Sequence, residues 1–137
     1  MKYMLMIQGT QGDYDAMTGT SAPGAPAWTK EDLQAMVGFM RKLNEDLGAS
    51  GELVDGQGLT APSDGGLVTA DEDGRPVVSK NGYGVEQPVI VGYWVLECRD
   101  FDRAAEIAAR IHQCPVPEGS TNPPVIVRPI GEEPPVD

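Results

Sequence analysis

Hydrophobic and polar positions along the chain repeat one plan twice: a strand-like apolar run, a connection, then a helix with one apolar side. The first copy predicts a strand at Lys2–Gln8 and a helix at Thr29–Leu47, and the second a strand at Val89–Glu97 and a helix at Phe101–His112. A closing strand follows at Val125–Arg128. This order predicts an α+β fold, a ferredoxin-like split β-α-β sheet with both helices on one face.

Local signals support the two helices. Thr29 is a good N-cap for the first, and Gly48 and Gly51 are expected to end it. Asp100 or Asp102 is expected to cap the second. The helices therefore have defined ends in addition to apolar stripes.

The segment between the two copies predicts a further strand at Glu52–Leu59 and an inserted β-hairpin at 66–79, with an acidic Asp-Gly turn. Glycine, threonine, serine and proline dominate 9–28, which predicts a long loop, either a lid over a site or plain slack. One domain is expected over 1–130, and 131–137 reads as a flexible C-terminal tail.

Charge narrows the range of partners. Lysine and arginine number 10 against 21 aspartates and glutamates, a net charge of −11 with pI near 4.3. Such a chain repels phosphate backbones, so nucleic acid is not an expected partner. No apolar run approaches the roughly 20 residues of a membrane helix, so no membrane partner is expected either. Cys98 and Cys114 suit reduced thiols, and no secretory signal precedes the first strand, which predicts a cytoplasmic protein.

The sequence contains no complete catalytic or metal-binding constellation. Its one histidine, His112, ends the second predicted helix, where a cationic imidazole suits the helix dipole better than catalysis without an orienting partner. One histidine and two separated cysteines are too few ligands for zinc. Neither a metal nor a cofactor is expected.

A small-molecule pocket is predicted in the cleft between the sheet and the 9–28 loop. Polar and aromatic side chains near strand ends are expected to converge there; they are Gln8, Trp28, Asp55, Gln57, Tyr83, Tyr93 and Arg128. Arg128 has two interpretations, a two-pronged clamp for the carboxylate of a small organic acid or an ion pair with Glu97 or Asp55. An aromatic ligand is the other expectation.

A sheet with helices on one face leaves its second face open. Either Tyr3, Leu5 and Ile7 or the alternate pair Met4 and Met6 would then face water. The prediction is a homodimer that packs sheet face to sheet face.

Several short motifs, in order along nearly the whole chain, resemble the YCII-related proteins, in particular the branch named for a DGPF motif. They are Met1–Ile7, Gly58–Pro62, Gly92–Leu96, Asp102–Ala104, Cys114–Pro115 and Val127–Ile130. The resemblance implies a dimeric α+β barrel and a bacterial cytoplasmic protein, with a biochemical role that is mostly unassigned in the family. The chain has Lys80-Asn81-Gly82-Tyr83 in place of Asp-Gly-Pro-Phe, and it lacks the histidine of the histidine-aspartate pair of some YCII-like proteins.

Two functions follow from these observations. The first is a homodimeric module that binds a small molecule or a protein partner. The second is a cofactor-independent lyase, isomerase or oxygenase acting on an aromatic or lactone-like substrate, in which tyrosine, arginine and aspartate do the chemistry. Whether the protein is an enzyme stays open at this point.

Overall fold

The computed structural model describes residues 1–19 and 27–132. Its helices and strands, in chain order, are β1 (Lys2–Gly9), α1 (Gln11–Met17), α2 (Lys30–Ser50), β2 (Leu53–Gly58), β3 (Leu67–Ala70), β4 (Pro76–Ser79), β5 (Val89–Glu97), α3 (Phe101–His112) and β6 (Ile126–Pro129). A single 3-10 turn at Pro62–Asp64 follows β2.

Four of the strands form one antiparallel sheet in the order β2-β5-β1-β6. With the short helix α1 and the hairpin β3-β4 set aside, the chain order β-α-β-β-α-β and this strand order are those of a ferredoxin-like sheet. The predicted α+β fold is therefore confirmed. The apolar strands β1 and β5 lie in the middle, and β6, which ends at Pro129, lies at an edge where a missing N–H costs no ladder bond.

The predicted N-caps are present, and of the two glycines expected to end the first helix only Gly51 does so, because α2 continues through Gly48 to Ser50. The Thr29 hydroxyl accepts a hydrogen bond from the Asp32 amide while the Asp32 carboxylate accepts one from the Thr29 amide, a reciprocal capping box. Gly51 ends α2 at a φ of 79°, a left-handed conformation that favours glycine. Of the two candidate caps for α3, Asp100 is the one that accepts from the Arg103 amide, at 2.9 Å.

The prediction of an unbroken loop over 9–28 is wrong in its first half. Gln11–Met17 forms α1, which begins with a capping box between Thr10 and Asp13. The Tyr14 hydroxyl ties this short helix to the body of the domain by donating to the Leu59 carbonyl at 2.7 Å. Residues 20–26 of the predicted loop and 133–137 of the predicted tail lie outside the described residues.

The core lies between the sheet and helices α2 and α3. Its four most deeply buried large side chains come from two central strands and both helices: Leu5, Leu43, Leu96 and Ile111. Because Tyr3 and Leu5 point into this core, the alternate residues Met4 and Met6 project from the other side of β1. The buried residues of α2 and α3 belong to the core cluster on the Tyr3 and Leu5 side of the sheet. We call the opposite side the open face.

An ion pair joins Glu52, the residue that precedes β2, to Arg103 of α3. The Arg103 guanidinium donates to both carboxylate oxygens of Glu52, at 2.8 and 2.9 Å, and the Glu52 side chain is only 16% exposed. These hydrogen bonds lower the pKa of Glu52 from its usual 4.5 to about 2. Because the folded pKa is the lower one, the stabilisation is present above pH 4.5 and is lost as the pH falls toward 2.

Substituting Glu52→Gln is therefore expected to lower the free energy of unfolding at pH 7 by about 2 kcal/mol, the scale of hydrogen bonds to a charged group. The deficit should shrink as the pH falls from 4.5 to 2, as followed by urea unfolding at each pH. Glu106→Gln is the matched control, because Glu106 also bonds Arg103 but is 57% exposed. A Glu52→Gln deficit that is constant with pH would contradict this assignment.

The insertion between β2 and β5 forms the predicted hairpin. Strands β3 and β4 pair only with each other, as a separate two-stranded sheet that we call the ribbon. All eight of its strand residues are exposed, and Val68 lies directly opposite Val78. The ribbon therefore adds little to the core.

Candidate functional site

A cavity of about 460 Å³ lies at the end of the main sheet where β1 and β2 finish. We call it the end cavity. Helix α1, the start of α2 and the segment that leads to β6 surround it. Its lining is largely apolar, with a few polar groups; it includes Ile7, Gln8, Asp13, Tyr14, Met17, Trp28, Met36, Leu59, Val116 and Asn122. This composition is typical of a site for a small organic molecule.

Two predicted site residues, Gln8 and Trp28, meet in this cavity. Both are half-buried, and neither side chain makes a hydrogen bond to another described residue. The Trp28 amide donates to the Ala16 carbonyl at 3.3 Å, which fixes the tryptophan backbone against α1. The cavity thus offers an indole surface, an indole N–H and a free carboxamide to a ligand.

Gly58 leaves space at one side of the end cavity because it has no side chain. Gly58 lines both this cavity and a second one of about 280 Å³ beneath α2, and Ile7 and Met36 also border both. A methyl group added at Gly58 would meet no atom within 4 Å, whereas one at Gly56 would lie 3.1 Å from the Trp94 ring. A side chain at Gly58 would therefore occupy empty space instead of displacing the core.

The wall that follows α3 is held by a network that the sequence did not reveal. The Asn122 side-chain amide donates to the carbonyls of His112 and Cys114, at 3.0 and 2.8 Å. The His112 Nε2 in turn donates to the Asn122 carbonyl at 3.1 Å. His112 therefore anchors this wall from the last turn of α3. An asparagine within a proline-rich run was the only signal, and it is not specific.

The two cysteines are poor nucleophiles. Burial raises the pKa of the Cys114 thiol to about 11, and burial together with the nearby Glu52 carboxylate raises that of Cys98. Both are free thiols that stay protonated at neutral pH. Cys98 also belongs to the core cluster, as expected for a small apolar side chain.

The predicted convergence of all seven candidate residues is wrong, because three of them form a separate cluster on the open face. Asp55 accepts hydrogen bonds from the Tyr93 hydroxyl at 3.1 Å and from the Gln57 side-chain amide at 3.3 Å. Gln57 and Tyr93 also border the cavity beneath α2, but the polar ends of their side chains are engaged by Asp55. The Asp55 hydrogen bond raises the pKa of Tyr93, away from the range that suits proton transfer near neutrality.

Tyr83 and Arg128 lie elsewhere again. Tyr83 borders two other cavities, one near Pro62 and one at the base of the ribbon, and neither is lined by Gln8 or Trp28. Arg128 is exposed on the edge strand β6 and forms neither of its two predicted ion pairs with described residues. Glu97 pairs instead with the amino group of Met1, at 2.7 Å.

Within 1–19 and 27–132, no three side chains of histidine, cysteine, aspartate or glutamate gather into a group able to hold a metal ion. In the same ranges no helix has the length and apolar character needed to cross a bilayer. No protein-family model matches the chain, and no curated protein matches it. The fold and the site therefore define the class: an α+β protein with a ferredoxin-like sheet and a largely apolar cavity at one end of it.

Proposed function

We propose that the protein binds a small organic molecule in the end cavity. One observation carries this proposal: Gln8 and Trp28, the polar and aromatic groups that the cavity presents, have no side-chain hydrogen-bond partner among the described residues. Their polar atoms are accessible and not sealed in the core, so a ligand that enters the cavity can form hydrogen bonds with them.

The lining favours an uncharged aromatic ligand over an organic acid. No lysine or arginine is among the described residues that border the end cavity, and Asp13 is a carboxylate that would repel an anion. Arg128, the predicted carboxylate clamp, lies on β6 and does not border the cavity. Met17, Met36 and Trp28 instead provide polarizable surfaces that contact aromatic rings well.

Binding without catalysis fits the described groups better than the enzymatic alternative. A cofactor-independent lyase, isomerase or oxygenase works best with a general base or an activated nucleophile whose pKa lies near neutrality. The pKa values of Tyr14, Tyr93 and Cys114 are instead all raised. The polar groups of the cavity are thus suited to holding a ligand in place.

We further infer that the protein is a homodimer joined through the open face, as its resemblance to the YCII-related proteins implies. Met4, Met6, Tyr93, Val95 and Ile126 project from this face and are each half-buried. A contiguous apolar surface of this kind favours association with a second sheet. Membership of the YCII-related family and a cytoplasmic location remain predictions.

Filling the end cavity tests the binding proposal. Thermal unfolding is measured with indole and p-cresol, and with benzoate as the anionic comparison. The two neutral aromatics should stabilise the unmodified protein, by about 2.7 kcal/mol at a hundredfold excess over Kd. Gly58→Leu should abolish this stabilisation because its side chain occupies the cavity, and Trp28→Ala should weaken it.

Gly48→Leu is the matched control. Gly48 lies on α2, is exposed, and an added methyl group there meets no atom within 4 Å. This variant should respond to the aromatics as the unmodified protein does. Equal stabilisation of the Gly58→Leu protein, or a preference for benzoate, would show that the end cavity is not the aromatic site.

A further inference from the structure

Four residues form a straight row across the open face of the sheet. In the strand register, Arg128 of β6 pairs with Met4 of β1, Met4 pairs with Val95 of β5, and Val95 pairs with Asp55 of β2. Val95 lies between two buried core residues, Trp94 and Leu96, so it projects from the open face. Cross-strand partners share a face, so the whole row does.

The row begins with a cation, ends with an anion and is apolar in between. Arg128 is exposed and has no ion-pair partner among the described residues. Asp55 accepts only from neutral donors, which are the Gly56 amide and the side chains of Gln57 and Tyr93. Each end therefore presents a charge that no opposite charge within the described chain neutralises.

The rows of two copies of the protein are complementary in charge when a twofold rotation relates the copies. An axis that lies between two facing sheets, parallel to their strands, places β6 of one copy over β2 of the other, since the strand order is reversed. The cationic end of each row then faces the anionic end of the other. The two ends are three strand spacings apart, roughly 14 Å, so the two contacts are separate.

We infer that Arg128 of each protomer pairs with Asp55 of the partner subunit, and that these two equivalent ion pairs fix the register of the homodimer. The inference rests on the homodimer proposed above. Facing sheets lie roughly 10 Å apart, a gap that the long arginine side chain and an aspartate can bridge from opposite sides. The Tyr93 and Gln57 hydrogen bonds hold the aspartate in position for the two-pronged guanidinium contact.

The two ion pairs, and not the apolar residues around them, give this arrangement its specificity. The open face supplies apolar area from Met4, Met6, Val95 and Ile126. Because hydrophobic contact is non-directional, this area alone would allow many sheet-on-sheet orientations. Opposite charges at two fixed points favour one orientation, and like charges oppose the others. An anionic protein partner that paired only with Arg128 would leave the Asp55 carboxylate without an opposite charge. A second copy of this chain supplies opposite charges for both residues, so we infer that it covers the open face.

Charge exchange tests the inference by sedimentation velocity over a series of protein concentrations. The unmodified protein should dimerise. Arg128→Asp and Asp55→Arg should each raise the dimer dissociation constant at least about a hundredfold, because each places like charges together twice. The double variant Arg128→Asp/Asp55→Arg should recover most of the affinity, since the pairs form again with their signs exchanged. Circular dichroism checks that each variant is folded.

Arg41→Asp is the matched control, because Arg41 is exposed on α2, away from the open face. It carries the same charge change and should leave the dissociation constant within about threefold. A dimer that tolerates both single changes overturns the ion pairs but leaves the proposed homodimer standing. A monomeric unmodified protein overturns both, and single variants that the double variant does not rescue overturn the pairing of these two residues.

Discussion

Replacing Leu43 by alanine is expected to lower the free energy of unfolding by about 2–5 kcal/mol, the range for a large aliphatic side chain removed from a packed core. Leu43 is 0% exposed on the inner side of α2 and belongs to the cluster that joins this helix to the sheet. Its loss leaves a cavity among the remaining core side chains. Urea unfolding followed by circular dichroism measures the change.

Val37→Ala on the same helix is the matched control for Leu43→Ala. Val37 is 45% exposed, so its truncation removes little buried area and also raises helix propensity. Its effect should stay within about 0.5 kcal/mol of zero, as for most surface substitutions. Equal losses for the two variants would mean that α2 does not pack against the sheet through the side that carries Leu43.

Gly84→Ala is expected to cost about 2–5 kcal/mol, the sum of a left-handed backbone at roughly 1–2 kcal/mol and a steric displacement at roughly 1–3 kcal/mol. Gly84 is buried at a φ of +72°, and an added methyl group would lie 2.5 Å from Pro62 Cβ and 2.8 Å from its Cγ. The Gly84 carbonyl also accepts a hydrogen bond from the Gln11 amide at 2.7 Å. Displacing this glycine would therefore disturb the start of α1 as well.

Gly82→Ala separates the two contributions to the Gly84→Ala effect. Gly82 has nearly the same backbone, with a φ of +76°, but an added methyl group there meets no atom within 4 Å. It should cost only the backbone share, about 1–2 kcal/mol. The difference between the two unfolding free energies, from thermal and urea denaturation, measures the steric share. No difference would mean that Pro62 moves aside freely.

Sequence patterns predicted element bounds best where a single clear pattern continued through the whole element. The bounds predicted for Val89–Glu97 and Phe101–His112 are those of β5 and α3, because a long run of mostly β-branched and aromatic residues and a capped apolar stripe leave few alternatives. Helix α1 was missed because seven residues including Gly12 have little helix propensity of their own. Its capping box and its bond to Leu59 stabilise it, and the second of these is a tertiary contact.

The candidate site was predicted in part. Gln8 and Trp28 do meet in a cavity beside the end of β1, as composition and placement near a strand end indicated. Asp55 and Arg128 were assigned to the same site although they project from the open face of the sheet. Successive residues of a strand point to opposite faces, so a shift of one residue moves a side chain to the other face. The sequence alone does not show which residues of β2 point to which face, because β2 contains two glycines and an irregular register.

The ribbon gives the domain a region where sequence can change independently of the rest. Its ladder bonds are made between its own two strands, and every strand residue in it is solvent-accessible. We therefore expect insertions or substitutions in this hairpin to leave the central sheet and the end cavity in place. It is accordingly the natural position at which to graft an epitope or a fluorescent reporter.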